Sequence, residues 1–168
     1  GSGINLPRML RLYEAMGEES CPTARSIRDM FAAFTADWNK WKLGDTFASS
    51  EDFLEKCTAR MGGLRKMGIS ALRSNPRIIS YSLTGLHDPF GTFGEGVLTQ
   101  FREHKPGAFD CMVDAFAPLR WCLFAEPVSI YSGQKLKIEA VIANEDVLKP
   151  GVYPAVVQVL GPGDKRVF

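Results

Sequence analysis

The strongest fold signal in this 168-residue sequence is the segment Arg77-Ile78-Ile79-Ser80-Tyr81-Ser82-Leu83, which is short and rich in apolar and β-branched residues. It follows Asn75-Pro76 and precedes a glycine-rich loop at 85–96. This pattern is typical of a strand buried on both faces, as in a parallel sheet that is covered by helices. Loops at the carboxyl ends of such strands commonly hold the functional residues of α/β proteins. The loop residues His87 and Asp88 are therefore candidate site residues.

Amphipathic helices are predicted around this strand, from apolar residues at three- and four-residue spacing. They lie at 5–17, 23–41, 49–73 and 108–116. Pro7 suits the first turn of the first helix, and Thr23 is a candidate cap for the second. Three glycines fall within the third helix, and each costs about 1 kcal/mol relative to alanine, which weakens this helix and allows a kink or a break there. They are Gly62, Gly63 and Gly68.

The C-terminal part of the sequence has a different pattern, which is typical of an antiparallel β-sandwich. Strands are predicted at 121–124, 135–143 and 153–160, separated by turns that contain glycine or proline. A boundary near Pro118 divides the chain into an α/β part, 1–118, and a β part, 119–168. The first part has one central strand for several helices, and the second has too few strands for two sheets. We therefore expect the end of one domain followed by the start of another.

Composition excludes several classes of protein. The chain is 45% hydrophobic and 23% charged, which argues against disorder, and its net charge of +1 is too small for a nonspecific nucleic-acid binder. No apolar run approaches the roughly 20 residues of a membrane span, and no signal peptide opens the sequence. Four cysteines without a Cys-x-x-Cys motif, and only two histidines, favour buried free thiols over a zinc site. The cellular compartment is left open.

Residues 73–88 resemble the last strand of the catalytic barrel in glycoside hydrolase family 2, which includes β-galactosidases, β-mannosidases and β-glucuronidases. Asp88 matches the Asp of the loop that follows this strand in the family. Lys105-Pro106-Gly107 resembles the return from that loop, and 117–121 resembles the junction between the barrel and the next domain. The chain departs from the family at Thr84, where the family usually has Trp.

The resemblance implies a fold and an activity. The fold would be the C-terminal part of a (β/α)8 TIM barrel, followed by the first strands of an immunoglobulin-like β-sandwich. The parent enzyme would hydrolyse terminal β-linked sugars by a retaining two-carboxylate mechanism, with no cofactor and no metal. Both catalytic acids would lie upstream of residue 1, and this chain alone would be inactive. Its partners would be a carbohydrate, contacted by His87 and Asp88, and the remaining barrel and sandwich segments of the parent.

Gly1-Ser2-Gly3 has two interpretations. It fits the position just after the turn that holds the family's nucleophilic Glu, and it is also common linker chemistry. The start without Met and the abrupt end at Phe168 are interpreted as cuts.

Several alternatives remain for the chemistry. Asp88 and Glu95 could form a carboxylate pair, although a glycine-rich loop is a poor support for the required spacing. Asp88 could instead cap a turn, with His87 on the surface. A third alternative pairs one of the two histidines with Cys111 or Cys122, but these thiols lie in apolar runs, where they are inert.

Two further groups of residues have alternative interpretations. Arg102, His104 and Lys105 form a basic cluster, which we interpret as solvated surface, and 144–146 forms an acidic turn with too few ligands for calcium.

An alternative function is a non-catalytic carbohydrate-binding or scaffolding module, with tryptophans as stacking surfaces. The candidate tryptophans are Trp38, Trp41 and Trp121.

Overall fold

A computed structural model describes residues 4–88 and 94–168. Gly1-Ser2-Gly3 and residues 89–93 of the glycine-rich loop lie outside the described residues. The helices are α1 (Leu6–Ala15), α2 (Pro22–Lys40), α3 (Ser50–Arg73) and α4 (Ala108–Ala115), followed by the strands β1 (Leu119–Glu126) and β2 (Lys137–Asn144). Short 3-10 turns span Leu43–Asp45 and Pro162–Asp164. The four predicted helices and the first two C-terminal strands are thus confirmed.

The helix starts follow local hydrogen-bond chemistry. The Asn5 Oδ1 accepts a hydrogen bond from the Arg8 amide at 3.1 Å, and Ser49 Oγ accepts one from the Asp52 amide at 3.1 Å. Thr23 was the wrong cap for α2, because Cys21 holds that position and its Sγ accepts from the Ala24 amide. Pro22 has its dihedral preset for the first turn and lacks an N–H, so the helix begins there, before Thr23.

Helix α3 is continuous, without the kink or break that its glycines allow. Gly62 packs closely against the start of α4, which explains why this position of the helix holds a glycine. A Cβ on Gly62 would lie 2.8 Å from Ala108 Cα, which only a residue without a side chain avoids. Gly63 and Gly68 have open space at the Cβ position and no such contact.

Two apolar clusters lie between these elements. The first joins α1, α2 and α3, and its buried members are Leu6, Met9, Tyr13, Ala24, Ile27 and Leu54. The second lies between α3, α4 and the segment before α4, and its buried members are Ile69, Val97, Met112 and Ala115. Both clusters fix the segment 97–105 between the helices, which positions the candidate site.

No strand forms at 77–83, contrary to the prediction. Ile79 is 97% exposed, and Ile78 and Leu83 are each more than one-third exposed. A strand needs a neighbour for its backbone N–H and C=O groups, and no described segment pairs with this one. The apolar pattern of the segment is therefore present without a sheet around it.

Strands β1 and β2 form an antiparallel pair in which Trp121 lies opposite Ile142 and Leu123 lies opposite Ala140. The strand predicted at 153–160 is not formed. The end of this segment pairs with the C-terminal residues through an isolated bridge between Leu160 and Arg166 and through backbone hydrogen bonds of Val159. The pattern of 153–160 is apolar, but no described strand lies beside it. One face of the pair is apolar and exposed. Its large side chains are Trp121, Leu123, Ile138 and Ile142.

Two arginines join the helices to the strand pair. The Arg73 side chain is 3% exposed and donates to the backbone oxygens of Ala115 and Ala117 at 2.6 and 2.8 Å, and to Glu145 at 2.7 Å. Arg120, with an 8% exposed side chain, donates to Ser70 Oγ on α3. These bonds hold the end of α3, the end of α4 and β1 together, on either side of Pro118.

Candidate functional site

The candidate residues His87 and Asp88 lie where three short backbone segments run side by side. The Asp88 amide donates to Leu98 O at 3.0 Å, and the Lys105 amide donates to Val97 O at 3.0 Å. Leu98 forms isolated bridges with His87 on one side and with His104 on the other. The middle segment thus places 86–88 and 103–105 on its two flanks.

A buried ion pair connects these flanks. Lys105 Nζ lies 2.6 Å from Asp88 Oδ2, and the two side chains are 4% and 9% exposed. Lys105 also donates to Gly94 O at 3.1 Å, and the Gly96 amide donates to Asp88 Oδ1 at 2.8 Å. We call Asp88, Gly94, Gly96 and Lys105 the loop anchor, because they join both described ends of the glycine-rich loop.

Burial of the Lys105 ammonium is costly and lowers its pKa below the ordinary value. The hydrogen bond and the charge of Asp88 oppose this shift, and Arg65 adds to it. A lysine is rarely fully buried unless it is paired, so Asp88 is what makes this position tolerable. The interpretation of Arg102, His104 and Lys105 as solvated surface was therefore wrong for Lys105, while the other two are exposed.

Gly96 allows the close approach of the loop ends. A Cβ at this residue would lie 2.5 Å from Asp88 N, a distance that real side chains do not tolerate. The same backbone position donates to the Asp88 carboxylate. The glycine is therefore required by the contact between the two loop ends.

His87 is exposed beside the loop anchor. Its Nδ1 lies 3.1 Å from the backbone oxygen of Asp88, and a carbonyl oxygen only accepts, so Nδ1 is the donor. In the neutral ring this leaves Nε2 as an acceptor. His87 thus offers an accessible polar group, whereas the carboxylate of Asp88 is largely enclosed.

Helix α1 is attached to the same region. Arg8 forms two parallel hydrogen bonds with the Glu103 carboxylate, at 3.1 and 3.2 Å. On the next turns of the helix, Tyr13 accepts a hydrogen bond from Gln100 and packs edge-on against Phe101, with ring centroids 5.1 Å apart. These contacts place the beginning of the described chain next to the loop anchor.

A small cavity lies between α1 and the loop anchor, with a volume of about 30 Å³. Asn5 and Arg8 line it from α1, and Asp88, Thr99 and Lys105 line it from the other side. This volume holds one or two water molecules or a single hydroxyl group, and a whole sugar ring does not fit. The cavity, which Met9 and Pro106 also line, therefore has room for one small group of a larger ligand at most.

The geometry gives less support to the other candidates, which are the carboxylate pair, the pairing of a thiol with a histidine, and the acidic turn. Glu95 is exposed, while Asp88 is buried against Lys105. All four cysteines are free, and neither histidine hydrogen-bonds to a thiol among the described residues. In that part of the chain no group of three or more potential ligands could hold a metal ion, and Glu145 of the acidic turn pairs with Arg73.

The tryptophans are in three different environments. Trp38 packs among Phe34, Phe47 and Phe53, with ring centroids 5.9–6.3 Å apart. Trp41 is 66% exposed, and Trp121 on the strand pair is 49% exposed. Trp38 thus belongs to an aromatic cluster, and only the other two present large free surfaces.

The residues that sequence reasoning missed are Lys105 as a buried cation, Gly96 as a contact glycine, and Arg8 with its partner Glu103. The burial of Lys105 depends on Asp88, which is 17 positions earlier, so no local signal indicated it. Arg8 and Glu103 are 95 positions apart in sequence, and nothing local indicates their pairing.

Comparison with known proteins gave no match to a family model, to a curated protein or to a solved structure. Within 4–88 and 94–168, no helix has the length and apolar character needed to cross a membrane.

Proposed function

We propose that this chain is part of a glycoside hydrolase similar to family 2, one that cleaves terminal β-linked sugars with retention of configuration. The catalytic carboxylates are on segments of the parent that precede residue 1. His87 and Asp88 line a sugar subsite beside them. No cofactor or metal takes part in the proposed reaction.

The observation on which this proposal rests is the position of α1 relative to the loop anchor. In a barrel, the chain that leaves the carboxyl end of one strand lies beside the chain that leaves the next strand. Asn5 and Arg8, at the start of the described chain, line one cavity together with Asp88 and Lys105. A nucleophile located just before this helix would therefore be close to the loop that holds His87 and Asp88.

The exposed apolar surfaces fit the same proposal. The segment 77–83 exposes Ile79 almost fully, and the strand pair exposes a continuous apolar face with Trp121 and Leu123. A groove of about 850 Å³ runs from this face to Tyr153, at the start of the segment 153–160. Apolar patches of this kind normally mark contacts with other protein segments. We assign them to the remaining barrel strands and to the remaining sandwich strands.

The polar groups at the site match a sugar hydroxyl. His87 offers Nε2, which is an acceptor when the ring is neutral, and the Asp88 carboxylate keeps acceptor positions beyond those used by Gly96 and Lys105. Retaining hydrolysis itself needs two carboxyl groups about 5–5.5 Å apart. In this proposal these two are other residues, because Asp88 is held by a buried cation.

The test is an assay of the full parent protein and of this chain against para-nitrophenyl β-galactoside, β-mannoside and β-glucuronide. We expect the parent to hydrolyse at least one of them, with a β-configured first product by proton NMR, and this chain alone to hydrolyse none. In the parent, His87→Ala should raise KM about three- to tenfold, the loss of one hydrogen bond, with kcat little changed. Lys165→Ala, at an exposed residue of the C-terminal turn, is the control. An α-configured product, or a parent that cleaves none of the three, contradicts the proposal.

A second candidate is a non-catalytic carbohydrate-binding or scaffolding module, favoured by the exposed rings of Trp41 and Trp121. Aromatic faces of this kind stack on sugar rings. In this case the isolated chain would bind a sugar with a change in tryptophan fluorescence, and Trp121→Ala or Trp41→Ala would abolish the change. Binding that depends on His87 and not on these tryptophans favours the first proposal.

A further inference from the structure

We propose that Lys105 is a positioning residue for the sugar subsite: it fixes Asp88 and, through the Asp88 backbone, His87. This inference rests on the proposed function of the site. It assigns a role to a residue that the reaction itself does not require.

The first argument is the burial of Lys105. Its side chain is 4% exposed and its ammonium contacts the Asp88 carboxylate and the Gly94 backbone oxygen. A cation in this environment is stable only when its partner remains in place. The position of Asp88 is therefore coupled to the charge on Lys105.

The second argument is the backbone arrangement around the pair. The Asp88 amide donates a hydrogen bond to Leu98 O, and the Lys105 amide donates one to Val97 O. The ion pair therefore spans the segment that contains Val97 and Leu98 and joins the two segments on its flanks. On the loop side, Gly96 contacts the Asp88 backbone too closely for any side chain. The Asp88 carboxylate is thus held from two directions, by a cation and by an amide.

The third argument is the link from Asp88 to His87. The His87 ring donates from Nδ1 to the backbone oxygen of Asp88. A shift of the Asp88 backbone therefore moves the acceptor of the His87 ring. Within the described residues Lys105 forms no hydrogen bond with His87, so its effect on the exposed histidine is indirect.

The experiment uses the 168-residue chain and its variants Lys105→Met and Lys105→Arg, with Lys149→Met at an exposed lysine as the matched control. Nuclear magnetic resonance reports the hydrogen exchange of the Gly96 amide and the imidazole resonances of His87. The probes are methyl β-D-galactoside, methyl β-D-mannoside and methyl β-D-glucuronide. Lys105→Met should accelerate Gly96 exchange, shift the His87 resonances and weaken glycoside binding about tenfold or more. Lys105→Arg should restore part of each effect, and Lys149→Met should change none.

The inference is overturned if Lys105→Met folds and leaves Gly96 exchange and the His87 resonances as in the native chain. If Lys105→Met does not fold, Asp88→Asn takes its place, because it retains an acceptor for the Gly96 amide while removing the charge partner. The same His87 shift is then expected, and its absence overturns the inference. The Gly96 and His87 readouts decide the role of Lys105 whether or not the isolated chain binds a glycoside, because the assay of the full parent tests the proposed function separately.

Discussion

The stability of this chain should depend strongly on the ion pair between Asp88 and Lys105, and a double-mutant cycle measures that dependence. The variants are Asp88→Asn, Lys105→Met and the double variant. Each single substitution leaves a buried charge with one remaining hydrogen bond, from the Gly96 amide to Asp88 or from Lys105 to Gly94 O. Removing one partner of a buried pair costs about 3–5 kcal/mol.

The double variant leaves neither charge buried, so it should cost little more than one single substitution. The coupling energy, the sum of the two single costs minus the double cost, is then slightly below one single cost, at about 2–4 kcal/mol. The control cycle uses Asp52 and Lys56, an ion pair on α3 whose side chains are 32% and 62% exposed. Its coupling should be about 0.3–0.5 kcal/mol, the value of an exposed helix pair.

The assay is urea unfolding, followed by far-ultraviolet circular dichroism and by tryptophan fluorescence. The two probes should give coincident transitions, which is the condition for extracting free energies of unfolding. A coupling between Asp88 and Lys105 that is no larger than that between Asp52 and Lys56 refutes the reasoning, because burial would then contribute nothing to the interaction.

Three further predictions concern packing, the junction and pH. Gly62→Ala should destabilise the fold by about 1–3 kcal/mol, because the new Cβ overlaps the start of α4. Gly63→Ala has open space at its Cβ and should stabilise the fold by up to about 1 kcal/mol. Equal effects of the two variants in urea unfolding would contradict the close packing at Gly62. Arg73→Met should lower the free energy of unfolding by about 3 kcal/mol, because it leaves two backbone carbonyls near Pro118 without their donor, and Arg73→Lys should lower it less. A loss below about 1 kcal/mol for Arg73→Met would contradict the role of Arg73 in joining the helices to the strand pair. The Arg11 hydrogen bond lowers the pKa of Glu51 below its ordinary 4.5, so its contribution is present above pH 4.5 and is lost as pH falls through the lowered pKa. Glu51→Gln should therefore flatten the dependence of stability on pH in this acid range relative to the native chain, and an unchanged slope would rule out this linkage.

The helices were the most predictable part of the fold, because their signals are local. Periodic apolar residues place α1, α2 and α4 within a few residues of the expected positions, and Ser49 begins α3 as a capping residue should. The errors are also local in origin. Cys21 is an unusual cap, and the preset Pro22 shifted the start of α2 away from Thr23.

The glycines and the basic residues were predicted less well. Gly62 was interpreted as a weak point of α3, yet its contact with the start of α4 is the reason for a glycine there. Lys105 sits between polar and exposed neighbours in sequence, and its burial depends on Asp88, which is 17 positions earlier. Neither contact leaves a mark on the residues immediately around it.

For the candidate site, the sequence indicated the glycine-rich loop and its residues His87 and Asp88. It did not indicate that α1 would line the same cavity, because that proximity arises from Arg8 with Glu103 and from Tyr13 with Gln100. A sugar subsite at His87 and Asp88 remains a prediction, with a defined geometry around it.

The sequence by itself determined the helices, the strands β1 and β2, and the change from helices to strands near Pro118. These features depend on interactions between residues that are close in the chain, and such interactions leave a periodic pattern. Tertiary structure alone decided which groups are buried and paired, including Asp88 with Lys105 and Arg73 with the end of α4. It also decided that 77–83 and 153–160 form no strands among the described residues, because a strand is completed by the backbone of a neighbour, and its own sequence does not specify that neighbour.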